Sequence, residues 1–423
     1  MTHHVTITAP APVMDRDKLW QRDFTLLWSS SAVSLLGSTG VNVAGPLLAL
    51  AMDGSPIDAG RVAAAGTLPG LLLFLPAGVV VDRCNRRSIM MMSQVLRGTV
   101  GALLAVSVFV GAYSLSLLTS AVAIGGVCLA FYSVAEVSAV PQVIAKDRLP
   151  KAVATNEARS HAALLVGRSL GCLLFGIGRC LPFAIDAITC FVSFWTLVGI
   201  RAEPFRNQAE LRRRGVGALA GEIREGLVEL WSNRVLRMAL AVCTITNFCF
   251  QAIIVLLVVL AKRYGMHTFL IGAVLGASGL GGVVGALYVP ADLKKKGLMT
   301  VAVRCTWAWA ILILLIALFS SPVIWLLAWG GVGFMGARMN IALDIYQARE
   351  ISPGMLGRVA GANRFVSLGA IPLGACCGGY VIAMLGARRT AFAVAGLIGV
   401  LAVVVSTLNR RERRRSLLEG QCG

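Results

Sequence analysis

Charged residues are scarce in this sequence, and acidic residues are the scarcer kind. Only 14% of the 423 residues are charged while 57% are hydrophobic, and 20 Asp and Glu stand against 39 Lys and Arg. A soluble domain has about a quarter of its residues charged and about half apolar. The composition therefore argues against a water-soluble domain and indicates a chain that folds in lipid.

The sequence also lacks the motifs of nucleotide-driven and catalytic proteins. No GxxxxGK segment followed by Ser or Thr is present, so ATP phosphates have no P-loop to bind them. The eleven cysteines include no CxxC pair and the four histidines are scattered, which argues against a metal or redox site. We expect no cofactor and no enzymatic chemistry. An integral-membrane enzyme, which usually gathers His or carboxylates at one interface, is the alternative that this scatter disfavours.

Long apolar runs make up most of the chain, and each is near the roughly 20 residues that a helix needs to cross a bilayer. Because backbone polar groups in lipid must bond within their own segment, the runs predict helices. The twelve runs cover residues 24–51, 59–81, 88–112, 115–139, 153–178, 180–200, 236–261, 268–290, 299–319, 321–347, 359–386 and 389–408. Polar residues interrupt the first and tenth runs, at Ser29–Ser31 and Arg338–Asn340. The first run is too long for a signal peptide and is expected to be a span.

The distribution of Lys and Arg predicts the orientation. Most of them precede the first run or lie in every second loop and in the tail. The opposite loops hold six: Arg61, Arg179, Lys262, Arg263, Arg388 and Arg389. Because cytoplasmic loops are enriched in Lys and Arg, both termini are expected in the cytoplasm, in the inner (plasma) membrane of a bacterial-type cell. The net charge of +19 follows from this topology and requires no nucleic-acid partner.

The runs divide the chain into five parts. They are a cytoplasmic N-terminal segment, a first bundle of six helices, a cytoplasmic central loop, a second bundle of six helices and a basic cytoplasmic tail: 1–23, 24–200, 201–235, 236–408 and 409–423. Within the central loop, residues 221–231 carry apolar side chains at helical spacing. We expect an amphipathic helix on the inner membrane face there, with a solvated linker as the alternative.

The two bundles match each other at a constant offset of 207 residues. The matched pairs are Gly78 with Gly285, Arg97–Thr99 with Arg304–Thr306, Lys151–Asn156 with Arg358–Asn363, and Gly167 and Gly171 with Gly374 and Gly378. An offset of six spans preserves orientation, so the match predicts an all-α integral membrane protein of twelve transmembrane helices in two parallel six-helix repeats. In such transporters the substrate site lies between the halves, and rocking of the halves gives alternating access.

The loop between the second and third runs has the sequence GVVVDRCNRR at residues 78–87. It resembles the GxxxDRxGRR loop signature of the major facilitator superfamily. Residues 144–156 and the segment that begins at Gly357 look like the exporter branch of that superfamily, which contains macrolide-efflux and siderophore-efflux proteins. The resemblance covers the whole chain in span count, central loop and repeat, and it implies the major facilitator fold and a monomer.

The resemblance also implies a conformational switch in this loop. Its members are Gly78, Asp82, Arg83, Arg86 and Arg87, with Arg358 or Arg364 of the eleventh run as the partner of Asp82. Gly78 would let helices approach closely, and charge pairs around Asp82 would lock one state. The second glycine of the signature is Asn85 here, and Asn tolerates a left-handed backbone, so we expect the turn to survive. The alternative is a basic loop that only sets topology.

Two departures from the family concern proton antiport. Residues 167–172 have the sequence GRSLGC where drug–proton antiporters often carry GPxxGG, and the fourth run lacks the antiporter arginine. Both departures weaken the inference of antiport and leave the inference of transport unchanged.

Ionisable residues within spans are functional candidates because burying one costs about 2.5–3.5 kcal/mol on insertion scales. Glu136 lies ten residues before Lys146 and Arg97 ten residues after Arg87, so both should lie about 15 Å from the inner face. We expect Glu136 and Arg97 to pair. Glu136 is then either a proton-accepting carboxylate that faces the cavity or half of a permanent ion pair between two helices.

Four further charges complete the set of candidates for proton coupling or substrate binding. Arg168 and Asp186 lie at comparable distances from the outer face on adjacent runs and form a second expected pair, for which helix packing is favoured over a carrier role. Arg338 and Asp344 lie six residues apart on the tenth run, hence on different faces. Asp344 is expected at the inner interface beside Arg349.

Uncharged polar residues also occur on the runs that line the cavity by family resemblance. They are Asn42, Asn247, Gln251 and Asn340. With aromatic residues nearby, they predict a mixed polar and apolar pocket for an organic molecule.

These features predict a secondary active transporter that exports a small organic molecule, such as a drug, a siderophore or another secondary metabolite, by alternating access and proton-coupled antiport. Its expected partners are that substrate, protons and the lipid bilayer. One alternative is a facilitator or importer of a polar metabolite. Another is a non-transporting membrane sensor or scaffold on the same fold.

Overall fold

The computed structural model describes residues 16–52, 55–143, 149–200, 216–287, 297–351 and 353–419. All regular secondary structure in these ranges is helical. The helices are α1 (Arg16–Met52), α2 (Pro56–Arg83), α3 (Arg86–Val110), α4 (Leu115–Val143), α5 (Leu149–Ile177), α6 (Leu181–Val198), α7 (Val216–Ser232), α8 (Arg234–Arg263), α9 (Thr268–Leu287), α10 (Leu298–Leu318), α11 (Pro322–Glu350), α12 (Pro353–Leu385) and α13 (Ala387–Glu419).

Each of the twelve predicted runs coincides with one helix, and the remaining helix, α7, lies in the central loop. Ten helices of the described chain are long and apolar enough to cross a membrane. The all-helical membrane architecture is thus confirmed, while the count of twelve crossings and the side of the termini stay predictions. The serines at 29–31 do not break α1, since Ser29 Oγ donates to the Leu26 carbonyl at 3.1 Å and so satisfies itself within the helix.

Asparagine side chains cap two of the helices. Asn85 Oδ1 accepts hydrogen bonds from the backbone N–H groups of Arg87 and Ser88 at 3.0 and 3.4 Å, and Asn233 caps α8 in the same way. The expectation of a left-handed Asn85 is wrong, because its φ of −67° and ψ of 116° are extended. The short turn between α2 and α3 is formed instead by an N-cap, a position that Asn favours.

The helices form two sets with equivalent contacts, which we call the N-terminal half (α1–α6) and the C-terminal half (α8–α13). In the N-terminal half α1 packs on α5 and α6, α2 on α4, and α3 on α4 and α6. In the C-terminal half α8 packs on α12 and α13, α9 on α11, and α10 on α11 and α13. Adding seven to each helix number of the first set gives the second, so the sequence repeat corresponds to a structural one.

The matched glycines occupy equivalent places in the two halves. A Cβ atom at Gly171 of α5 would lie 2.5 Å from the Cα atom of Gly40 on α1. A Cβ atom at Gly378 of α12 would lie 2.8 Å from the Cα atom of Ala252 on α8. A larger residue would separate the helices in either half, so the close packing of these helix pairs requires the small residue.

Two helix pairs form most of the contact between the halves, α2 against α12 and α5 against α9. Near the start of α2, a Cβ atom at Gly60 would lie 2.7 Å from the carbonyl oxygen of Ala375 on α12. Beside it, Arg61 Nη2 donates to the Tyr380 hydroxyl at 2.8 Å. Both contacts lie at helix ends that are predicted to face the outside, so the halves are closed on each other there.

The central-loop helix α7 contacts both halves, through α2 and α12. Its buried side includes Leu230, which is 1% exposed and joins the core of the C-terminal half. Trp231 on the other side is 63% exposed. The helix is therefore two-sided, and its placement on the inner membrane face stays a prediction.

Candidate functional site

A buried ion pair joins α3 to α6 within the N-terminal half. Arg97 is 5% exposed and Asp186 is 4% exposed, and Nη2 of the arginine donates to Oδ1 of the aspartate. The same guanidinium also holds α1, since Nη1 donates to Ser34 Oγ at 3.0 Å and Nη2 donates to the Ser34 carbonyl at 3.2 Å. One arginine thus connects three helices in the interior of the half.

The approach of α1 to this pair depends on Gly37. A Cβ atom there would lie 2.5 Å from Asp186 Oδ1 and 3.1 Å from the Asp186 Cα atom. Because interiors are close-packed, a side chain at this position would have to move α1 or the carboxylate. The glycine therefore lets the carboxylate sit between α1 and α3, in reach of Arg97.

A cavity of about 40 Å³ lies beside the ion pair. Its lining includes Arg97 and Asp186 together with Ser38, Asn42 and Gly126. One water molecule needs about 10–15 Å³ of such space, so the cavity has room for about three waters. It is too small for an organic substrate. Most of its wall is apolar, and the Arg97–Asp186 pair with Ser38 and Asn42 supplies the polar partners that water would need there.

A second polar cluster links α1, α3, α4 and α6. The Tyr132 hydroxyl lies 3.2 Å from Ser30 Oγ and 3.0 Å from Ser31 Oγ. Ser193 Oγ lies 2.6 Å from Ser30 Oγ and accepts a hydrogen bond of 2.6 Å from Gln94 Nε2. Buried polar groups need partners, and these side chains supply one another with them.

The expected pairing of Arg97 with Glu136 is wrong. Glu136 on α4 instead accepts a hydrogen bond of 2.7 Å from Nη2 of Arg159 on α5, with side chains 12% and 9% exposed. Glu136 lies seven residues before the end of α4 at Val143 and Arg159 lies ten residues after the start of α5 at Leu149, so the pair links two consecutive helices. Arg97 pairs with a carboxylate of α6 and not with Glu136 of α4, and the rotation of α3 that decides this is invisible to a count of residues from the helix ends.

The expected pairing of Arg168 with Asp186 is also wrong. Arg168 on α5 points away from α6, and its Nη1 donates to Ser278 Oγ on α9 at 3.3 Å. The neighbouring Gly167 packs on α1, where a Cβ atom would lie 2.9 Å from the Leu36 carbonyl oxygen. Since successive residues on a helix face different directions, this contact with α1 turns Arg168 toward the other half.

The remaining charged candidates lie on α11. The Arg338 guanidinium carbon lies 5.6 Å from the centroid of the Phe334 ring, in range of a cation–π contact. Asp344 is exposed and lies six residues before Glu350, the last residue of the helix. Their roles in proton coupling or substrate binding stay predictions.

The polar cavity candidates occupy four different environments. Asn42 lines the cavity beside the ion pair. Asn247 Nδ2 donates to the Ser367 carbonyl at 3.0 Å, which links α8 to α12. Gln251 is half-buried on α8, and Asn340 is exposed on α11.

The expected switch loop is only partly described. Four of its side chains lie outside the described residues: Asp82, Arg83, Arg358 and Arg364. Gly78 is half-buried and Arg86 is buried. Arg87 Nε donates to the Leu197 carbonyl at 2.9 Å and Nη2 to the Val198 carbonyl at 2.7 Å. Arg87 therefore binds carbonyl groups of the last turn of α6, as basic residues commonly do, while the switch itself stays a prediction.

Sequence reasoning missed the serines of α1 and the role of Arg159. Ser30, Ser34 and Ser38 recur every four residues and all three are buried, so they form one polar stripe on a helix. That spacing is visible in the sequence and indicates a polar interior in the N-terminal half. Arg159 has a signal as well, since it is a charged residue within the fifth apolar run, as Glu136 is within the fourth.

Comparisons with known proteins agree with this architecture. Residues 27–371 match the family model of the Major Facilitator Superfamily. The chain is 26% identical over 389 residues to the multidrug efflux pump Tap of Mycolicibacterium fortuitum, covering 86% of this chain and 91% of that protein. It is 21% identical over 252 residues to macrolide efflux protein A of Streptococcus pyogenes, covering 59% and 62%. The solved structure of the nucleoside transporter NupG is similar in fold, with a TM-score of 0.70 and 14% identity over 93% of this chain and 99% of that one. The resemblance found in the loop at residues 78–87 is confirmed, and the chain belongs to the Major Facilitator Superfamily.

Proposed function

We propose that this membrane protein is a secondary active exporter of small organic molecules that takes up protons in exchange, with Arg97 and Asp186 as the coupling pair. The observation that carries the proposal is the position of a buried carboxylate, paired with arginine, on the wall of a water-sized cavity. A carboxylate inside a membrane protein is costly and is a candidate for proton transfer by default.

The pair suits coupling because protonation changes its contacts. A proton on Asp186 removes the charge that holds Arg97, and the guanidinium then keeps only its bonds to Ser34 on α1. The link between α3 and α6 weakens, and it is restored when the proton leaves. A ligand shifts a conformational equilibrium only through different affinities for the two states, and the making and breaking of this pair supplies that difference for the proton.

The second interior carboxylate serves packing in this proposal. Glu136 on α4 is paired with Arg159 on α5, and neither residue is among those that line the described cavity.

Efflux is supported by two relatives whose names contain it, macrolide efflux protein A and the multidrug efflux pump Tap.

The test is efflux from cells that express the chain, with and without a protonophore. Ethidium, erythromycin and fluorescein sample cationic, macrolide and anionic compounds. Wild type is compared with Asp186→Asn and with the matched variant Glu136→Gln at equal amounts in the membrane. We expect protonophore-sensitive efflux of at least one compound in wild type and Glu136→Gln, and its loss in Asp186→Asn.

Other outcomes lead to other functions. A flux that follows only the gradient of the compound and ignores the protonophore would indicate a facilitator. The absence of flux for every compound would favour a sensor or scaffold. Full efflux by Asp186→Asn would place the coupling site elsewhere.

A further inference from the structure

The contact between α5 and α9 is one of the two seams that join the halves. Ser169 Oγ donates to the Gly272 carbonyl at 3.3 Å, and a Cβ atom at Gly272 would lie 2.6 Å from the Cβ atom of Cys172. In transporters built from two repeats, substrates bind near mid-membrane where the repeats meet. Side chains at this seam and at this depth are therefore candidates for substrate contact.

Arg168 lies at the seam between α5 and α9 and near mid-membrane depth. It lies nine residues before the end of α5 at Ile177, and its partner Ser278 lies ten residues after the start of α9 at Thr268. At 1.5 Å per residue, both are about 15 Å from those helix ends, near the centre of the spans. The arginine is half-buried, and its 3.3 Å bond to Ser278 is its one polar contact among the described residues.

The charge of Arg168 has no counterpart in the part of the chain that the structure describes. Two other arginines of the N-terminal half that lie well inside their helices each hold a carboxylate, Arg97 with Asp186 and Arg159 with Glu136. An unbalanced cation within the membrane is costly, so such a residue is a functional candidate by default. The guanidinium of Arg168 has five N–H donors, and only Nη1 contacts a described partner.

Helix α11 also reaches the residue that Arg168 binds. A Cβ atom at Gly333 of α11 would lie 2.6 Å from the carbonyl carbon of Ser278, so α11 touches the residue that Arg168 binds. Arg168 and Ser278 therefore place a cation and a hydroxyl side by side at this seam, next to the backbone of α11.

We propose that the transported molecule carries an anionic group, a carboxylate, sulfonate or phosphate, and that Arg168 binds it together with the Ser278 hydroxyl. This inference rests on the proposed transport function and names its substrate class. The planar guanidinium matches the paired oxygens of such groups, and charge-assisted hydrogen bonds of this kind are the strong ones. An inside-negative membrane potential drives anions outward, which agrees with export.

Binding to the purified full-length chain tests this without any transport step. The chain is placed in phosphatidylcholine nanodiscs, and fluorescein binding is followed by fluorescence anisotropy. Naphthoate and naphthyl phosphate, with their uncharged counterparts methyl naphthoate and naphthol, serve as competitors. We expect each acid to bind at least about tenfold tighter than its uncharged counterpart, the order of effect of a charge-assisted bond.

Matched variants assign the preference to Arg168. Arg168→Gln should remove the difference between acid and uncharged counterpart, Arg168→Lys should keep part of it, and Ser278→Ala should weaken it about threefold to tenfold. Arg304→Gln, the same change at an exposed position of the C-terminal half, should bind like wild type. Because Arg168→Lys and Ser278→Ala conserve charge or shape, the test holds even where Arg168→Gln folds poorly.

Two results would overturn the inference. One is equal binding of acids and uncharged counterparts by wild type, or an acid preference that Arg168→Gln retains. The other is binding of a lipid headgroup in place of a solute. If phosphatidylglycerol nanodiscs show an Arg168-dependent lipid contact and solute acids bind in neither lipid, the anion is a lipid. An acid preference without any flux in cells would refute the exporter and leave the anion site standing.

Discussion

The two halves share one plan of helix contacts but have opposite interiors. Among the described residues, twelve buried positions of the N-terminal half are polar or charged, against five in the C-terminal half. The C-terminal half contains most of one large apolar core, whereas the N-terminal half has two smaller apolar clusters. The buried polar positions of the N-terminal half all lie on α1, α3 and α6.

The N-terminal half can respond to protons, whereas the interior of the C-terminal half serves packing. The C-terminal core holds interlocked aromatic rings, with Phe250 edge-to-face on Trp309 at 5.2 Å and on Trp329 at 6.1 Å. Such packing does not change with protonation. The ion pair of the N-terminal half loses its attraction when Asp186 is protonated. We therefore expect the proton-dependent step to start there while the C-terminal half moves as a unit.

The largest difference in stability between the halves is expected around Arg97 and its repeat partner Arg304. Asp186→Leu leaves Arg97 buried without a counter-charge, which should lower the free energy of unfolding by about 3–5 kcal/mol. Arg304, the repeat partner of Arg97, is exposed, so Arg304→Gln should change it by less than about 0.5 kcal/mol. SDS-induced unfolding in mixed micelles measures both.

Removing both charges sharpens this result. The double variant Arg97→Leu/Asp186→Leu should regain most of the lost stability, because replacement of a whole buried pair by apolar residues is often nearly neutral. It should not regain proton-coupled efflux. Equal losses for Asp186→Leu and Arg304→Gln would break the contrast between the halves.

A smaller effect is expected from crowding the ion pair. Gly37→Ala places a Cβ atom 2.5 Å from Asp186 Oδ1, and such overpacking costs about 1–3 kcal/mol. Gly70→Ala on α2 is the control, since no atom lies within 4 Å of its Cβ position, and it should be neutral or slightly stabilising. Thermal unfolding followed by tryptophan fluorescence compares the two, and a Gly37→Ala variant as stable as Gly70→Ala would contradict the close packing at Asp186.

The polar cluster around Tyr132 should contribute less than the ion pair. Tyr132→Phe removes the hydroxyl that lies within 3.2 Å of Ser30 and Ser31, and we expect a loss of about 1 kcal/mol in the free energy of unfolding. The unfolding assay in mixed micelles gives the value. No change in stability would mean that the two serines are satisfied without the tyrosine.

The smallest effect is expected for a buried polar residue of the C-terminal half. Thr306 Oγ1 donates only to carbonyl groups of its own helix, Ala302 at 2.9 Å and Val303 at 3.0 Å. Such bonds within a helix add little, so Thr306→Val should change the free energy of unfolding by less than about 0.5 kcal/mol. A loss as large as that of Tyr132→Phe would show that polar burial stabilises both halves alike.

The helices could be predicted from the sequence because each depends mainly on its own composition. An apolar run near 20 residues in lipid has few alternatives to a helix, and every predicted run coincides with one. The repeat was visible for a similar reason, since equivalent contacts select equivalent small residues such as Gly171 and Gly378.

The ion pairs could not be predicted in this way because they depend on the rotation of each helix. Arg97 lies 13 residues from the end of α3 at Val110, whereas Asp186 lies five residues from the start of α6 at Leu181. The two nevertheless meet, so counting residues from helix ends does not give relative depth. Arg168 likewise faces α9, a contact between the halves that no local pattern reports.

The most direct test of the coupling pair is a count of protons in proteoliposomes. The compound with the largest protonophore-sensitive efflux is supplied on one side, and a pH-sensitive dye in the lumen records proton movement in the opposite direction. Wild type and Glu136→Gln should move protons with the compound, and Asp186→Asn should move none at equal incorporation. Compound-dependent proton movement that persists in Asp186→Asn would contradict the assignment of the coupling site to Arg97 and Asp186.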